Sequence, residues 1–290
     1  MAKGNDGNLL QHAVETKIAC ELAGPADLPG LYLACTHAMQ PFDPLERRHE
    51  KHVEGRRRFE AWWERATHQT HSEGVEPPIL IAYRRCRAED PLLYPNTAQM
   101  VSSLLGRNRV RSLLIDRNDG MRGYFDNWSL GRAIRVYLGK SWRDRLQSLH
   151  APQDLDRPWL FTMDPMKYWP DNEKDDDDLH PNDVDRLASV VASFVTTGQP
   201  GVFAAFCYSM IGRTDRRSDF RRWAQKLAHQ TAVHSVYLKF VDIAELGHIG
   251  ALISRDPRLL ETVHDHWTEI RDAELSTALT SARIRTAAPP

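Results

Sequence analysis

The chain has little that would place it in a specialised class. Its four cysteines, Cys20, Cys35, Cys86 and Cys207, are scattered through 290 residues, with no CxxC spacing for zinc or redox chemistry and too few thiols for a disulfide framework. Free thiols, mostly buried as small apolar groups, are the expectation. No apolar run approaches the ~18 residues of a membrane span. The start lacks the apolar segment and small-residue cleavage site of a secretory signal. A soluble, cytoplasmic protein follows as an expectation. Nucleophile elbows, HExxH, P-loops and zinc fingers are absent. There is also almost no net charge, since 38 Lys and Arg face 39 Asp and Glu. What is present is 41% hydrophobic residues and eight Trp, enough to build a substantial core and to exclude a disordered tail protein.

Local patterns alternate between helical and strand-like. Leu10, Val14, Ile18 and Leu22 fall four apart on one helical face, with Asn8 placed to cap the first turn. Leu31-Tyr32-Leu33 opens a short apolar run bounded by Pro29-Gly30 and Pro41. Mixed charges from Leu45 to Thr67 read as a solvated helix, and Ile79 to Tyr83 is open between strand and helix. Asn96 or Thr97 caps a helix that buries Val101, Leu104 and Leu105. Strands are expected at Arg111–Asp116, Ala133–Leu138, Trp159–Met163 and Val202–Cys207, with a helix carrying Val184, Leu187, Val191 and Phe194 before the last. Val233–Val241 and His248–Ser254 read as an antiparallel hairpin. Asp256-Pro257 then caps a final helix with Leu260, Val263, Trp267 and Ile270 inward, and the tail from Thr277 is expected to fray. The sum is one Rossmann-like α/β domain spanning 1–290, a mostly parallel sheet with a C-terminal antiparallel hairpin and a helical insertion over 43–90. Class I methyltransferases share that plan.

Five features could carry chemistry, each with a plainer reading beside it. Asp164, followed by Pro165 directly after a strand, sits where doubly wound folds bind ligands and could accept a hydrogen bond from a substrate amine; it is equally an ordinary turn Asp. Asp116 could accept from a ribose diol, or end its strand in a turn. Thr36-His37-Ala38-Met39 follows the first strand without the glycines that let backbone approach a nucleotide, and a lone His there is more often structural. The Gly4-Asn5-Asp6-Gly7-Asn8 start is either a special loop or a disordered terminus. The acidic run from Asp171 to Asp185 has oxygen ligands for a cation but no calcium-loop glycine, so a solvated loop is expected and no metal.

Taken in order, Lys3-Gly4-Asn5…Gln11-His12, Leu31-Tyr32-Leu33…Thr36-His37-Ala38-Met39, Leu93-Tyr94-Pro95-Asn96-Thr97, Asp116, Leu138-Gly139-Lys140 and Asp164-Pro165-Met166-Lys167-Tyr168 resemble the bacterial 23S ribosomal RNA adenine-N6 methyltransferase family that modifies naked rRNA. The resemblance runs nearly end to end. It implies S-adenosylmethionine as cofactor, with His12, His37, Thr97, Asp116 and Lys140 at cofactor positions. It also implies Asp164 as the catalytic acid that orients an exocyclic amine, and Tyr168 as a residue stacking on the flipped base. The chain departs from the family pattern at Cys35 and Lys140, where the family has acids, at Met39, where it has glycine, at Gln11, where it has Lys, and at Met166-Lys167, where a second proline belongs. Those departures admit a second expectation, a catalytically silent methyltransferase-like subunit that binds a protein or nucleic-acid partner. Transfer to a small molecule is a third.

The neutral total is a sum of unequal parts. Residues 171–185 hold eight acids and one Lys, so the other 275 residues carry a net charge of +6. Arg107–Arg145 has ten basic residues against four acids, and Arg213–Lys226 six against two. Such stretches suit a phosphate backbone or an acidic protein partner.

Overall fold

A computed structural model of the chain describes residues 6–25, 28–37, 76–89, 95–116, 134–139, 141–165, 168, 179–211, 214–231, 235–243 and 247–286. In chain order the elements are α1 (Asp6–Ala23), β1 (Leu31–Cys35), α2 (Pro78–Glu89), α3 (Thr97–Leu105), β2 (Val110–Asp116), β3 (Ile134–Leu138) and the short α4 (Leu146–Leu149). There follow β4 (Trp159–Met163), α5 (Asp183–Val195), β5 (Gly201–Tyr208), the two-residue strands β6 (Met210–Ile211) and β7 (Thr214–Asp215), α6 (Arg217–Thr231), β8 (Tyr237–Ile243), β9 (His248–Ser254) and α7 (Pro257–Thr286). The main sheet has seven strands in the order β3-β2-β1-β4-β5-β9-β8. The first five run parallel, while β9 pairs antiparallel with both β5 and β8. This is the expected Rossmann-like plan, with the hairpin's second strand inserted against β5.

Alternation along the strands divides the interior into two layers. Leu31, Leu33, Cys35, Leu114, Leu160 and Val202 face a layer shared with α1, α2, α3 and α7. Ala34, Leu113, Phe161, Phe203, Ala205 and Ile253 face the other, shared with α5 and α6. Each central strand is therefore covered on both sides, which is why its text is apolar almost throughout. Asn96 caps α3, accepting from the Gln99 amide at 2.9 Å while the Gln99 side chain accepts from the Asn96 backbone at 3.0 Å, a reciprocal capping box. Asp256 caps α7 through Oδ1, which accepts from Arg258 and Leu259 amides at 2.9 and 3.2 Å.

One open alternative is settled and several expectations are revised. Residues Ile79–Tyr83 are helical, within α2, and their buried positions pack under α3 and α1. α1 begins at Asp6, so Asn8 lies inside its first turn rather than at the cap. α7 continues to Thr286 instead of ending near Thr277, as a stretch with Ala, Leu and Arg and no Gly or Pro allows. The basic run at Arg213–Lys226 contains an unforeseen helix, α6, which buries Phe220, Trp223, Ala224, Leu227 and Thr231 on one side. The proposed insertion over 43–90 and the helix over Leu45–Thr67 fall largely or wholly outside the described residues. The four thiols are free, and Cys35, Cys86 and Cys207 are buried.

Gly30 fixes how the sheet starts. Its φ of +85° is one that side-chain-bearing residues rarely adopt, and a Cβ there would stand 2.0 Å from the carbonyl oxygen of Arg109. That close approach seats the entry to β1 against the entry to β2, where Leu31 and Val110 begin their register. Gly30→Ala is expected to lower stability by about 2 kcal/mol or more, read as a lowered urea midpoint with an unchanged slope.

Candidate functional site at the strand switch point

The parallel strands order outward in both directions from β1 and β4, and ligands in such sheets bind beyond the carboxyl ends of the strands at this reversal. His37 lies two residues past β1, Asp164 follows β4 directly, and Asp116 ends β2. Thr162 and Asp164 alternate with Phe161 and Met163 and so share the side of the sheet covered by α1. Above them α1 is buried on nearly every side, because the sheet lies beneath it and α2, α3 and α7 flank it. Gln11, His12, Glu15 and Thr16 on this helix are therefore turned away from water, and their polar groups are met by one another and by neighbouring elements.

Glu15 is the centre of that arrangement. Its side chain is 1% exposed, and no Lys or Arg is paired with it among the described residues. Oε1 accepts from Gln11 Nε2 at 3.1 Å and from Thr162 Oγ1 at 2.5 Å, and Oε2 accepts from Thr97 Oγ1 at 2.8 Å. His12 Nδ1 lies 3.5 Å from Oε2 and His37 Nε2 3.5 Å from Oε1. His37 Nε2 is also 3.3 Å from Thr97 Oγ1 and in short contact with Gln11 Nε2. Three of the residues singled out in the sequence, His12, His37 and Thr97, are thus brought together around a carboxylate that was not. No local signal in the sequence marks Glu15, because the burial of its neighbours Gln11, His12 and Thr16 is decided by the fold.

The electrostatics follow from burial and partners. Burial alone would raise the pKa of Glu15, but hydrogen bonds and charge from His12 and His37 outweigh it and hold the carboxyl well below the usual carboxylate range. Burial alone would lower the pKa of His37, yet Cys35 and Glu15 beside it lift it well above its ordinary value. Among the described residues Asp164 has no such donors. Burial pushes its pKa up to about 7, with His37 pulling down and Glu15 pushing further up. One acid of the site is therefore held ionised, and the other is near half-protonated at neutral pH.

The remaining expected residues are placed as follows. Asp116 is 9% exposed, opposite Leu138 in the β2–β3 register. Tyr168 is 4% exposed, with its ring 6.2 Å from Phe220 and 6.4 Å from Trp223 on α6. A ring packed in that way faces the second hydrophobic layer, and stacking on a base would require it to leave those neighbours. Lys140, Met39, Met166 and Lys167 lie outside the described residues.

No family model matches the chain, and no curated protein does. Among solved structures, protein LPL1258 from Legionella pneumophila strain Philadelphia 1, of the domain family DUF519, aligns over 91% of this chain and 94% of its own with a TM-score of 0.54 and 14% identity. The likeness is one of fold. It covers nearly the whole of both chains rather than a single motif.

The basic runs resolve differently. On and around α6, Arg216 and Arg222 pair with Asp219, Arg217 with Asp215 and Arg221 with Asp242, so much of that charge is neutralised. Arg111 and Arg135, on adjacent strands β2 and β3, are exposed. Within the acidic run, Asp183 is structural: it takes both Nε and Nη2 of Arg143 at 3.0 and 2.7 Å and accepts from the His180 amide at 2.9 Å. No helix among the described residues is long and apolar enough to cross a membrane.

Asp164 and Glu15 give opposite pH dependences. Asp164, its pKa raised in the fold to about 7, contributes stability that is present below its unfolded value near 4 and is lost as pH rises through about 7. Glu15, depressed in the fold, contributes stability above the ordinary carboxylate range that is lost as pH falls below it. Asp164→Asn is therefore expected to be more stable than the wild type at about pH 8, by about 2 kcal/mol or more, with the difference shrinking toward about pH 4; urea denaturation at the two pH values checks it.

Proposed function

We propose that the chain is an S-adenosylmethionine-dependent methyltransferase acting on an adenine amino group in nucleic acid. The observation that carries this reading is the convergence of His12, His37, Thr97 and Asp164 at the switch point, in the chain order in which the resembled family presents its cofactor and catalytic motifs. Asp116 at the end of β2 supports it, since a buried carboxylate there stands where a ribose diol would be accepted. The groups at this end of the sheet also suit such a ligand: the largely buried His37 imidazole and the carboxyl groups of Asp116 and Asp164 offer both donors and acceptors.

S-adenosylmethionine supplies an electrophilic methyl on a sulfonium. The protein's part is positional and electrostatic. Asp164 in its ionised form accepts hydrogen bonds from the exocyclic amine and aims the nitrogen lone pair along the line of attack. A positive charge brought beside Asp164 favours that ionised form, drawing its pKa down from about 7. Glu15 does not take part in this step, being fully occupied by Gln11, Thr97 and Thr162. Arg111 and Arg135 offer exposed charge to a phosphate backbone.

A second reading has its own observation. Tyr168 is packed into the layer beneath α6, away from solvent, as suits a subunit that keeps the fold and binds a partner without transferring methyl groups.

Titration calorimetry with S-adenosylmethionine separates the two, the active reading requiring saturable heat and the silent one none. Given binding, Asp164→Ala is expected to reduce methyl transfer to protein-free ribosomal RNA by about 10²-fold or more while leaving the circular dichroism spectrum unchanged. Undiminished transfer by that variant would remove Asp164 from the mechanism.

A further inference from the structure

The basic run from Arg107 to Arg145 is spent unevenly. Arg107 pairs with Glu89, Arg109 donates to the carbonyls of Ala23 and Pro25 at 2.9 and 2.7 Å, and Arg143 is held by Asp183. Arg111, Arg135 and Arg145 make no ion pair among the described residues, and Arg111 and Arg135 are exposed. Strand register puts these three on one face. Arg111 alternates with Leu113 and Ile115, which belong to the layer shared with α5 and α6. It stands opposite Tyr32 on β1, while Arg135 and Tyr137 on β3 stand opposite Leu113 and Ile115. One strand spacing and a two-residue offset separate Arg111 from Arg135 by about 8 Å along the backbone. Arg145, immediately before α4, lays its guanidinium over the Tyr137 ring, 4.7 Å from the centroid. Burial pushes the Tyr32 hydroxyl up to about 12 against the pull of Arg135 and Arg111, so it keeps its proton at neutral pH and is a donor.

What the face offers decides its occupant. Of the acids at its rim, Asp156 is paired with Arg157, and Asp154 stands near Tyr32. Two open cations and a hydroxyl donor suit phosphates, and a guanidinium stacked on a phenol ring is a flat plate on which an unpaired base can lie. A duplex hides its base faces, and a run of acidic side chains has nothing to lay on that plate. The face also leads to the switch point: Arg135 is level with Leu113, three residues and about 10 Å below Asp116 at the end of β2. Resting on the nucleic-acid reading above, we propose that Tyr32, Arg111, Arg135, Tyr137 and Arg145 form a holding surface for a single strand of RNA, beside the reaction site and separate from it. Arg111 and Arg135 take its phosphates, and the Arg145 plate takes one base.

Fluorescence anisotropy of the full-length protein with a labelled single-stranded RNA of about 12 nucleotides reads the surface directly. Arg111→Gln combined with Arg135→Gln is expected to weaken binding by about tenfold or more. It should also flatten the dependence of log affinity on log salt by about 1.4, for two phosphate contacts at about 0.7 each. Arg145→Lys keeps the charge and removes the plate, so affinity should fall by about fivefold or more with the salt dependence unchanged. Arg221→Gln, on α6 and already paired with Asp242, should change neither. The same sequence as a duplex, and polyglutamate, should compete about tenfold or more weakly than the single strand. Unchanged affinity or salt dependence in the double variant, full affinity in Arg145→Lys, or equal competition by the duplex would each overturn the proposal. Equal competition by polyglutamate would also overturn it, in favour of an acidic protein partner.

Calorimetry with S-adenosylmethionine on the same protein separates this surface from the methyltransferase reading. RNA held through Arg111, Arg135 and Arg145 with no heat from S-adenosylmethionine sustains the surface and removes that reading. Saturable heat and methyl transfer by a protein whose RNA affinity ignores all three arginines does the reverse.

Discussion

The switch-point end of the domain depends on one buried carboxylate. Glu15 sits in the middle of α1 without a Lys or Arg partner among the described residues, and its charge is met by an amide, two hydroxyls and two imidazoles. An ionised group can remain in so apolar a place only if its hydrogen bonds are complete. The donors come from different parts of the fold: Gln11 and His12 from α1 itself, Thr97 from the first position of α3, Thr162 from β4, and His37 from beyond β1. Removing any of them exposes the others to the cost of an incompletely solvated charge, so these elements are held together by polar satisfaction as well as by apolar packing.

That requirement explains local features which otherwise look unrelated. The capping box at Asn96 and Gln99 fixes where α3 begins, and its start is what presents the Thr97 hydroxyl to Glu15. The Thr36 amide donates to the Thr162 carbonyl at 3.1 Å, which continues the β1–β4 pairing past the strand and carries His37 over the helix. Asp164 lies one alternation beyond Thr162, close enough to feel both His37 and Glu15 but without their hydrogen bonds among the described residues. Two acids a short distance apart thus reach opposite protonation behaviour, as environments that differ in donors rather than in burial produce.

The fold was legible wherever periodicity was unambiguous. Leu10, Val14, Ile18 and Leu22 marked the core face of α1, and each is buried. WLFTM and VFAAFC read as covered strands because both of their faces are apolar, and β4 and β5 are fully buried as far as Cys207. α6 was missed because its charged residues dominate the composition, although Phe220, Trp223, Leu227 and Thr231 are spaced as one helical side. In the site, the meeting of His12, His37 and Thr97 was legible only through the resemblance, since nothing in their spacing of 25 and 60 residues brings them together. Glu15 was not legible at all: in the sequence it is an ordinary acid in a helix.

The sequence by itself determined the alternation of helices and strands, the apolar faces, the capping residues and the antiparallel close of the sheet, because each is set by neighbours within a few positions. It also determined the uneven distribution of charge beneath a neutral total. Only the tertiary structure decided which charges are used. Burying the part of α1 around Gln11, His12 and Thr16 made Glu15 a hydrogen-bonding centre, packing α6 over Tyr168 turned an expected stacking residue inward, and the pairing of arginines on and beside α6 with aspartates offset much of the charge of one of two basic runs. Solvation and partners far apart in the chain govern those outcomes, and neither is written in local sequence.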